Sequence, residues 1–198
     1  MINCRDLEES ILKVKQSGLN TIEVFSIVFA LLTENVGRVA LSKKLGFSER
    51  TVRKIVSLLK TSDLSQIFEL LGRINVTTIN APWLSCQPVL YEGFSSEVLE
   101  SISEKIILLR DFIVISSREP SKIEVLGVLR NNHLIYPGLI EDYAKPYLKL
   151  REKLPETSGL LVCWRNYKRF LDDSILLTSL SRLCEYENLV GVVREDHR

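Results

Sequence analysis

The chain has 198 residues, of which 45% are hydrophobic and 26% are charged. This composition is typical of a globular protein and excludes an intrinsically disordered chain. The formal net charge is only +1, so any affinity for nucleic acid must come from a local concentration of charge. The length fits one domain or two small ones.

The four cysteines, Cys4, Cys86, Cys163 and Cys184, include no C-x-x-C pair, and their spacing does not match a zinc site. We therefore expect reduced and mostly buried thiols, no bound metal and a cytoplasmic protein. The first residues lack the apolar core of a signal peptide. The most apolar run, Val24–Leu32, is about half as long as a helix that crosses a bilayer, which predicts no membrane association.

The first half of the chain shows helical patterns. Residues 1–18 are predicted to form an extra amphipathic helix that Gly18 ends. Asn20, with an acid three residues later, predicts the start of a second, buried helix. A short third helix follows, and Gly46 is expected to stop it in a left-handed conformation. Ser48 then caps a fourth helix. The predicted apolar face of this fourth helix consists of Val52, Ile55, Val56 and Leu59.

The pattern changes after the fourth helix. Ile67 and Leu71 precede a Gly72-Arg73 turn, after which apolar and polar residues alternate up to Thr78. This pattern predicts a two-stranded hairpin. Three helices followed by a hairpin make a winged helix-turn-helix.

A domain boundary is predicted at residues 80–88, where two prolines break regular structure. We assign residues 1–80 to the winged helix-turn-helix and residues 86–198, where strands and helices alternate, to a small α/β domain. The whole chain is then of the α+β class. In the second domain we predict strands at Pro88–Phe94, Ile107–Ser116 and Gly159–Trp164, and a hairpin that turns at Asn131-Asn132. Two helices are predicted at Ser95–Ile106 and Tyr167–Cys184. The stretch "KPYLKLREKL" predicts a further helix with Pro146 in its first turn.

Positive charge is concentrated in the predicted helix-turn-helix. From Gly37 to Lys60 there are seven basic residues and a single acid, Glu49, so this segment carries a net charge of +6. Such asymmetry is what binding to DNA phosphates requires. We expect phosphate contacts from Arg38, Lys43, Lys44 and Lys60, base reading in the major groove from Arg50, Thr51, Arg53 and Lys54, and further contacts from Ser57 and from Arg73 at the hairpin tip.

Other readings of the chain remain open. Units of three helices also serve as docking modules for proteins, with basic residues that are merely solvated. Catalysis has little support, because neither His133 nor His197 lies in a catalytic motif and no phosphate-binding or nucleophile motif occurs. We therefore expect neither an enzyme nor a cofactor.

Three pairs of residues in the second domain attract attention. Arg110 and Asp111 interrupt a predicted buried strand, so we expect a structural salt bridge or, as the alternative, a ligand anchor. Trp164 and Arg165 end another predicted strand, where ligands often bind in α/β sheets; the alternative is a core aromatic followed by a solvated arginine. The acidic pair at 172–173 is interpreted as part of a solvated helix face.

Several stretches resemble a known family. The first half resembles an archaeal winged helix-turn-helix through "TIEVFSIVFALL", "GRVALSKKLGFSERTVRKIVSLL" and "LGRINVT". The second half resembles a C-terminal domain of unknown function that is attached to such winged helices, through "LLRD", "VLGVLRNNHLIYPG" and "SGLLVCWRN". The resemblance implies a transcriptional regulator and brings no known ligand.

The expected partner is double-stranded DNA, bound in a sequence-specific way. We expect the second domain to supply homodimerisation, the sensing of a small-molecule effector, or both. Its long helix carries more apolar residues than one face needs. Leu171, Leu176 and Leu180 are therefore predicted either to line an interface or pocket, or to be buried within their own domain.

Overall fold

The computed structural model describes the backbone of residues 1–61 and 64–195 and the side chains of residues 1–60 and 64–186. Its helices are α1 (Cys4–Gln16), α2 (Thr21–Thr33), α3 (Arg38–Leu45), α4 (Glu49–Thr61), α5 (Ser65–Gly72), α6 (Ser96–Glu104), α7 (Ile106–Ser117), α8 (Glu141–Leu148) and α9 (Leu171–Glu195). Its strands are β1 (Asn75–Thr78), β2 (Gln87–Glu92), β3 (Ile123–Arg130), β4 (His133–Ile135) and β5 (Gly159–Trp164). The protein is therefore of the α+β class.

Contacts divide the chain into two compact units. The helical unit contains Cys4–Arg73 and residues 168–195, and the sheet unit contains Met1–Asn3 and Ile74–Tyr167. This division differs from the predicted boundary at residues 80–88, because α9 groups with the N-terminal helices. The fold thus joins segments from both ends of the sequence into one unit.

The helical unit is built around α2. Asn20 caps this helix, because its side-chain oxygen accepts hydrogen bonds from the backbone N–H groups of Ile22 at 2.9 Å and Glu23 at 3.2 Å, which confirms the predicted start. From Val24 to Ala30 every residue of α2 is buried. The helix can be apolar on all sides because it packs against α1, α3, α4, α5 and α9.

The predicted hairpin of a winged helix-turn-helix is wrong. Residues Ser65–Gly72 form α5, in which Ile67, Leu70 and Leu71 are buried at helical spacing. The next element, β1, pairs in antiparallel fashion with β2 and belongs to the sheet unit. The turn at Gly72-Arg73 therefore ends a helix rather than joining two strands.

The sheet unit contains a five-stranded sheet with strand order β1-β2-β5-β3-β4. All neighbouring strands are antiparallel. The predicted small α/β domain therefore lacks the parallel strands of that class. The hairpin between β3 and β4 is confirmed: Asn131 and Asn132 form the turn with φ of 47° and 66°, conformations that asparagine tolerates better than most residues.

The strand predicted at Ile107–Ser116 is also wrong, because these residues belong to α7. Ile106, Leu109 and Ile113 are buried, at the i, i+3 and i+7 spacing of one helix face. Other apolar residues of α7 stay exposed, which gives the sequence the continuous apolar run of a buried strand. Hydrophobic periodicity alone does not separate the two structures in such a run.

The remaining elements of the sheet unit follow the sequence more closely. Ser95 caps α6 by accepting a hydrogen bond from the backbone N–H of Val98 at 3.3 Å. Pro146 lies at the sixth residue of α8 rather than in the first turn, and the helix passes into a 3-10 turn at Lys149–Lys153 shortly after it. Loss of a backbone donor at the proline is consistent with this early end of α8.

The expectation of reduced cysteines is wrong, because all four are paired. Cys4 at the start of α1 is bonded to Cys184 in α9, and Cys86 is bonded to Cys163 in β5. The first disulfide joins the two chain segments of the helical unit, and the second lies in the apolar core of the sheet unit. Within the described residues no helix is by itself long and apolar enough to cross a membrane, although α1 and α2 together, as a bent pair, meet the criteria of length and composition.

Candidate nucleic-acid interface

Helices α3 and α4 are joined by a tight turn that fixes their relative direction. Gly46 ends α3 with φ of 71°, the left-handed conformation that the sequence predicted. The Ser42 hydroxyl donates a hydrogen bond to the Phe47 carbonyl at 2.7 Å, which ties the helix to the turn. The Ser48 hydroxyl then accepts from the Thr51 backbone N–H at 3.1 Å and caps α4. Together, α2, α3 and α4 pack as a three-helix group.

Helix α4 has a buried apolar side and an exposed basic side. Val52, Ile55 and Leu59 are buried. At about 100° per residue, positions 50, 54 and 57 lie on the opposite side, which faces solvent. The exposed polar residues of α4 include Arg50, Arg53, Lys54, Ser57 and Lys60.

Most of the predicted DNA-binding cations are available to an external partner. Arg38, Lys43, Arg50, Arg53 and Lys54 are exposed, and none forms an ion pair with a residue that the structure describes. Within the described part of the chain, their charge is therefore not neutralised by an ion pair. This arrangement creates a positive surface along α3 and α4, which we call the basic face.

The predicted residues Lys44 and Thr51 are engaged within the helical unit. Lys44 pairs with Glu34, and its ammonium group lies 5.3 Å from the centre of the Phe170 ring. The Thr51 hydroxyl lies 2.9 Å from the Ser48 hydroxyl and takes part in the cap of α4. Lys44 is thus a structural cation as well as a charge near the basic face.

The sequence predicts Arg73 at a hairpin tip, but the structure contradicts this position. It is the residue that follows α5, and its guanidinium lies 3.8 Å from the Asp6 carboxylate on α1. The expected contact with DNA through a wing therefore has no counterpart at this position.

The structure overturns the interpretation of Arg110 and Asp111 as charges within a buried strand. Both residues are exposed on α7. No structural salt bridge is required there, because neither charge is removed from water. Arg110 lines a cleft of about 90 Å³, together with Ile107 and Leu139.

Trp164 and Arg165 are held by neighbouring groups of the sheet unit. Trp164 is fully buried, and its indole N–H donates to the Tyr91 hydroxyl at 2.9 Å. The Arg165 side chain donates to the Glu124 carboxylate at 3.2 Å. Since the sheet is antiparallel, the strand-end argument for a ligand site does not apply. The alternative is confirmed for Trp164, which is a core aromatic.

Glu124 is the centre of a polar network that the sequence analysis missed. Its carboxylate accepts hydrogen bonds from Tyr147 at 2.5 Å, from Ser85 at 2.9 Å and from Arg165. Burial raises the pKa of Glu124, but the hydrogen bonds from Tyr147, Ser85 and Arg165 lower it more, so the net pKa lies below its ordinary value. The signal in the sequence was an acid within the apolar strand pattern of β3.

Tyrosines 136 and 147 extend this network into the core. Burial and the hydrogen bond to Glu124 raise the pKa of Tyr147 to about 12. Burial also raises the pKa of Tyr136, whose hydroxyl donates to the Tyr147 carbonyl at 2.9 Å. Both phenols are therefore neutral at physiological pH and act as hydrogen-bond donors rather than as bases.

The sequence predicts that the acidic pair at the start of α9 is solvated, but the structure buries it. Asp172 and Asp173 are buried and accept hydrogen bonds from the backbone N–H groups of Lys168 at 2.6 Å and Phe170 at 2.8 Å. They hold the segment that leads into the helix, where Phe170 has φ of 69°. The acids therefore have a structural role.

His133 is exposed on β4, and His197 lies outside the described residues. Among residues 1–60 and 64–186, no group of three histidine, cysteine or acidic side chains is placed to hold a metal ion. The candidate functional site is the basic face, because it carries exposed cations that have no ion-pair partner among the described residues.

Comparisons with known proteins give one fold-level match. No family model matches the chain, and no curated protein matches it. A solved structure, the hypothetical protein PH0730 from Pyrococcus horikoshii OT3, is similar with a TM-score of 0.52 and 15% sequence identity. The similarity covers 85% of this chain and 94% of that one. At this identity the comparison shows a similar fold alone and carries no information about activity.

Proposed function

We propose that the protein binds double-stranded DNA through the basic face. The observation that carries this proposal is the set of exposed cations on α3 and α4 that have no ion-pair partner among the described residues. This segment has a net charge of +6 in a chain whose total is +1. Such a surface attracts a polyanion and releases counterions when it binds.

The position of the cations favours a helix-turn-helix mode of binding. In that mode the second helix enters the major groove and its N-terminal residues contact base edges. Helix α4 presents Arg50, Arg53 and Lys54 near its start, where they are suited to guanine edges and phosphates. In this proposal Arg38 and Lys43 on α3 contact phosphates beside the groove. The proposal needs no wing.

The resemblance of residues 21–32 and 37–59 to the helices of archaeal helix-turn-helix proteins supports the more specific proposal of a transcriptional regulator in the cytoplasm. Disulfides are rare in cytosolic proteins other than those of hyperthermophiles, so the two disulfides make the cytoplasmic part of this proposal depend on a hyperthermophilic source. The competing proposal is an adaptor whose three-helix group docks a protein. In that case the cations would only keep the surface solvated.

The test is the affinity of the full chain for a labelled random-sequence duplex, measured by fluorescence anisotropy. Reversing two charges in the variant Arg50→Glu/Lys54→Glu should weaken binding about 100-fold or more, since it removes two contacts and adds repulsion. Both side chains point away from the buried side of α4, so the fold should be unaffected. Circular dichroism and thermal unfolding check this.

The matched control is the variant Lys145→Glu/Lys149→Glu. It makes the same change of charge at the same spacing, at exposed positions of the sheet unit. DNA affinity should fall by a much smaller factor in the control. Equal losses in the two variants would show that only net charge matters, and tight binding by Arg50→Glu/Lys54→Glu would reject the proposed function.

A further inference from the structure

Helix α7 exposes apolar side chains on the side that faces away from its own core. Ile107 and Ile115 are 67% and 61% exposed, while Ile106, Leu109 and Ile113 are buried on the other side. A surface helix normally has one apolar side and one polar side, whereas a helix that is apolar all round is normally covered. Exposed apolar groups in contiguous patches mark interaction sites.

The exposed side of α7 also carries two opposite charges at its centre. At about 100° per residue, Ile107, Arg110, Asp111 and Val114 fall within one third of the helix circumference. Arg110 and Asp111 are exposed, and neither forms an ion pair with any residue in the described part of the chain. The apolar side chains therefore flank one positive and one negative charge.

We propose that this face binds the same face of a second copy of the chain, with the two α7 helices antiparallel about a two-fold axis. A two-fold interface is self-complementary, so a contact from residue i to residue j occurs twice. If the axis passes between Arg110 and Asp111, each arginine faces Asp111 of the partner subunit. In the same register Ile107 faces Val114 of the partner subunit.

The apolar surface continues beyond α7. Ile107 and Leu139 line the same cleft, and the next residue along the chain, Ile140, is 68% exposed. Tyr143, on the first turn of α8, is 69% exposed. A stable dimer usually buries more surface than one pair of helices supplies, and these side chains extend the area that the partner covers.

A second copy fits this face better than an unrelated protein, because the charge pattern is complementary to itself. An independent reason rests on the proposed function: one helix-turn-helix covers one half-site, and specific operators usually present two. The long helix for which the sequence left open an interface, a pocket or burial is less suitable. Its Leu176 and Leu180 are buried, and α9 packs against α1 and α2.

The test is the mass of the full chain in solution without DNA, measured by sedimentation velocity over a range of concentrations. The wild type should form a dimer. Arg110→Asp and Asp111→Arg should each weaken the dimer at least about tenfold, because each single change places like charges opposite one another. The double variant Arg110→Asp/Asp111→Arg restores opposite charges across the axis and should restore the dimer.

The control is Arg5→Glu, which reverses a charge in an exposed ion pair on α1 and should leave the dimer unchanged. Circular dichroism confirms that each variant is folded. A monomeric wild type, a dimer that is insensitive to the single reversals, or a double variant that stays monomeric would each overturn the proposal. Since the assay contains no DNA, its outcome does not depend on whether the protein binds DNA.

Discussion

The helical unit and the sheet unit present opposite kinds of surface on helices of similar length. Helix α4 has 13 residues with a buried apolar side and an exposed basic side. Helix α7 has 12 residues and is apolar on both sides, with one exposed ion of each sign near its middle. The partner that we propose for the first surface is a polyanion, and the partner that we propose for the second is another copy of the chain. Exposure alone therefore does not identify a partner, because two exposed helix faces differ in the charge that they carry.

The two units also differ in how a disulfide holds them. Cys4–Cys184 spans 180 residues and joins segments from opposite ends of the sequence. Cys86–Cys163 spans 77 residues and lies within the continuous part of the sheet unit. The first disulfide therefore links two segments of the helical unit that are far apart in the sequence.

The largest expected effect concerns these disulfides. By loop-closure entropy, Cys4–Cys184 stabilises the folded chain by about 5 kcal/mol and Cys86–Cys163 by about 4.5 kcal/mol. Removing either one should lower the melting temperature by about 10 °C or more. Calorimetry on Cys4→Ser/Cys184→Ser and on Cys86→Ser/Cys163→Ser measures both effects.

Hydrogen exchange of the two variants sharpens the comparison of the units. Protection should fall first in α1 and α9 for the variant without Cys4–Cys184, and in β2 and β5 for the other variant. The control combines the two double variants into one variant in which serine replaces all four cysteines. Wild type treated with a reducing agent should behave like this combined variant. Reaction of the thiols with iodoacetamide only after reduction shows that the disulfides had formed and were then broken. If the melting temperature of the wild type is nevertheless the same with and without reductant, the prediction is contradicted.

The second prediction concerns the salt dependence of the basic face. If about four phosphates are neutralised, raising the salt concentration from about 50 to about 200 mM should weaken DNA binding on the order of 100-fold. The affinity of the full chain for duplex DNA at five or more salt concentrations gives the slope. In Arg38→Glu/Lys43→Glu the slope should be shallower by about two, since two cations that are expected to contact phosphates no longer displace counterions. A flat salt titration of the wild type would favour the adaptor.

Local signals in the sequence predicted much of the helical unit. The cap at Asn20, the stop at Gly46 and the cap at Ser48 are each set by residues within one turn of the helix end. The exposure of Arg50 and Lys54 followed from the spacing of the apolar residues of α4. Whether these cations contact DNA depends on a partner that the spacing does not describe.

Other features depend on contacts that a local pattern does not contain. The pairing of Cys4 with Cys184 joins residues at opposite ends of the chain, and cysteine connectivity cannot be read from spacing. The apolar run of α7 predicts a strand because the exposed side of the helix is apolar as well as the buried side. In α5, the helical spacing of Ile67, Leu70 and Leu71 argues against a hairpin. Gly72 directly after them favours a turn, and the hairpin prediction depends on that turn.

The smallest expected effect concerns the network around Glu124, and it separates the polar interior of the sheet unit from the solvated charges of the basic face. Glu124→Gln keeps the size of the side chain but removes the charge from three hydrogen bonds. It should lower the free energy of unfolding at neutral pH by about 1–2 kcal/mol, as measured by urea denaturation. The exposed Glu156→Gln is the control and should have no measurable effect.

The pH dependence of this effect has a definite sign. Because the pKa of Glu124 in the folded protein is below its ordinary value of 4.5, the carboxylate stabilises the fold above that pH. The stabilisation is lost as the pH falls through the lowered pKa of the folded state. The difference in stability between wild type and Glu124→Gln should thus be constant from about pH 7 to 5 and shrink below about 4.5. The phenol of Tyr147, with a pKa of about 12, should titrate at lower pH in the variant, since it loses the neighbouring negative charge. A difference that persists unchanged at pH values well below 4.5 would show that the charge of Glu124 is not its source.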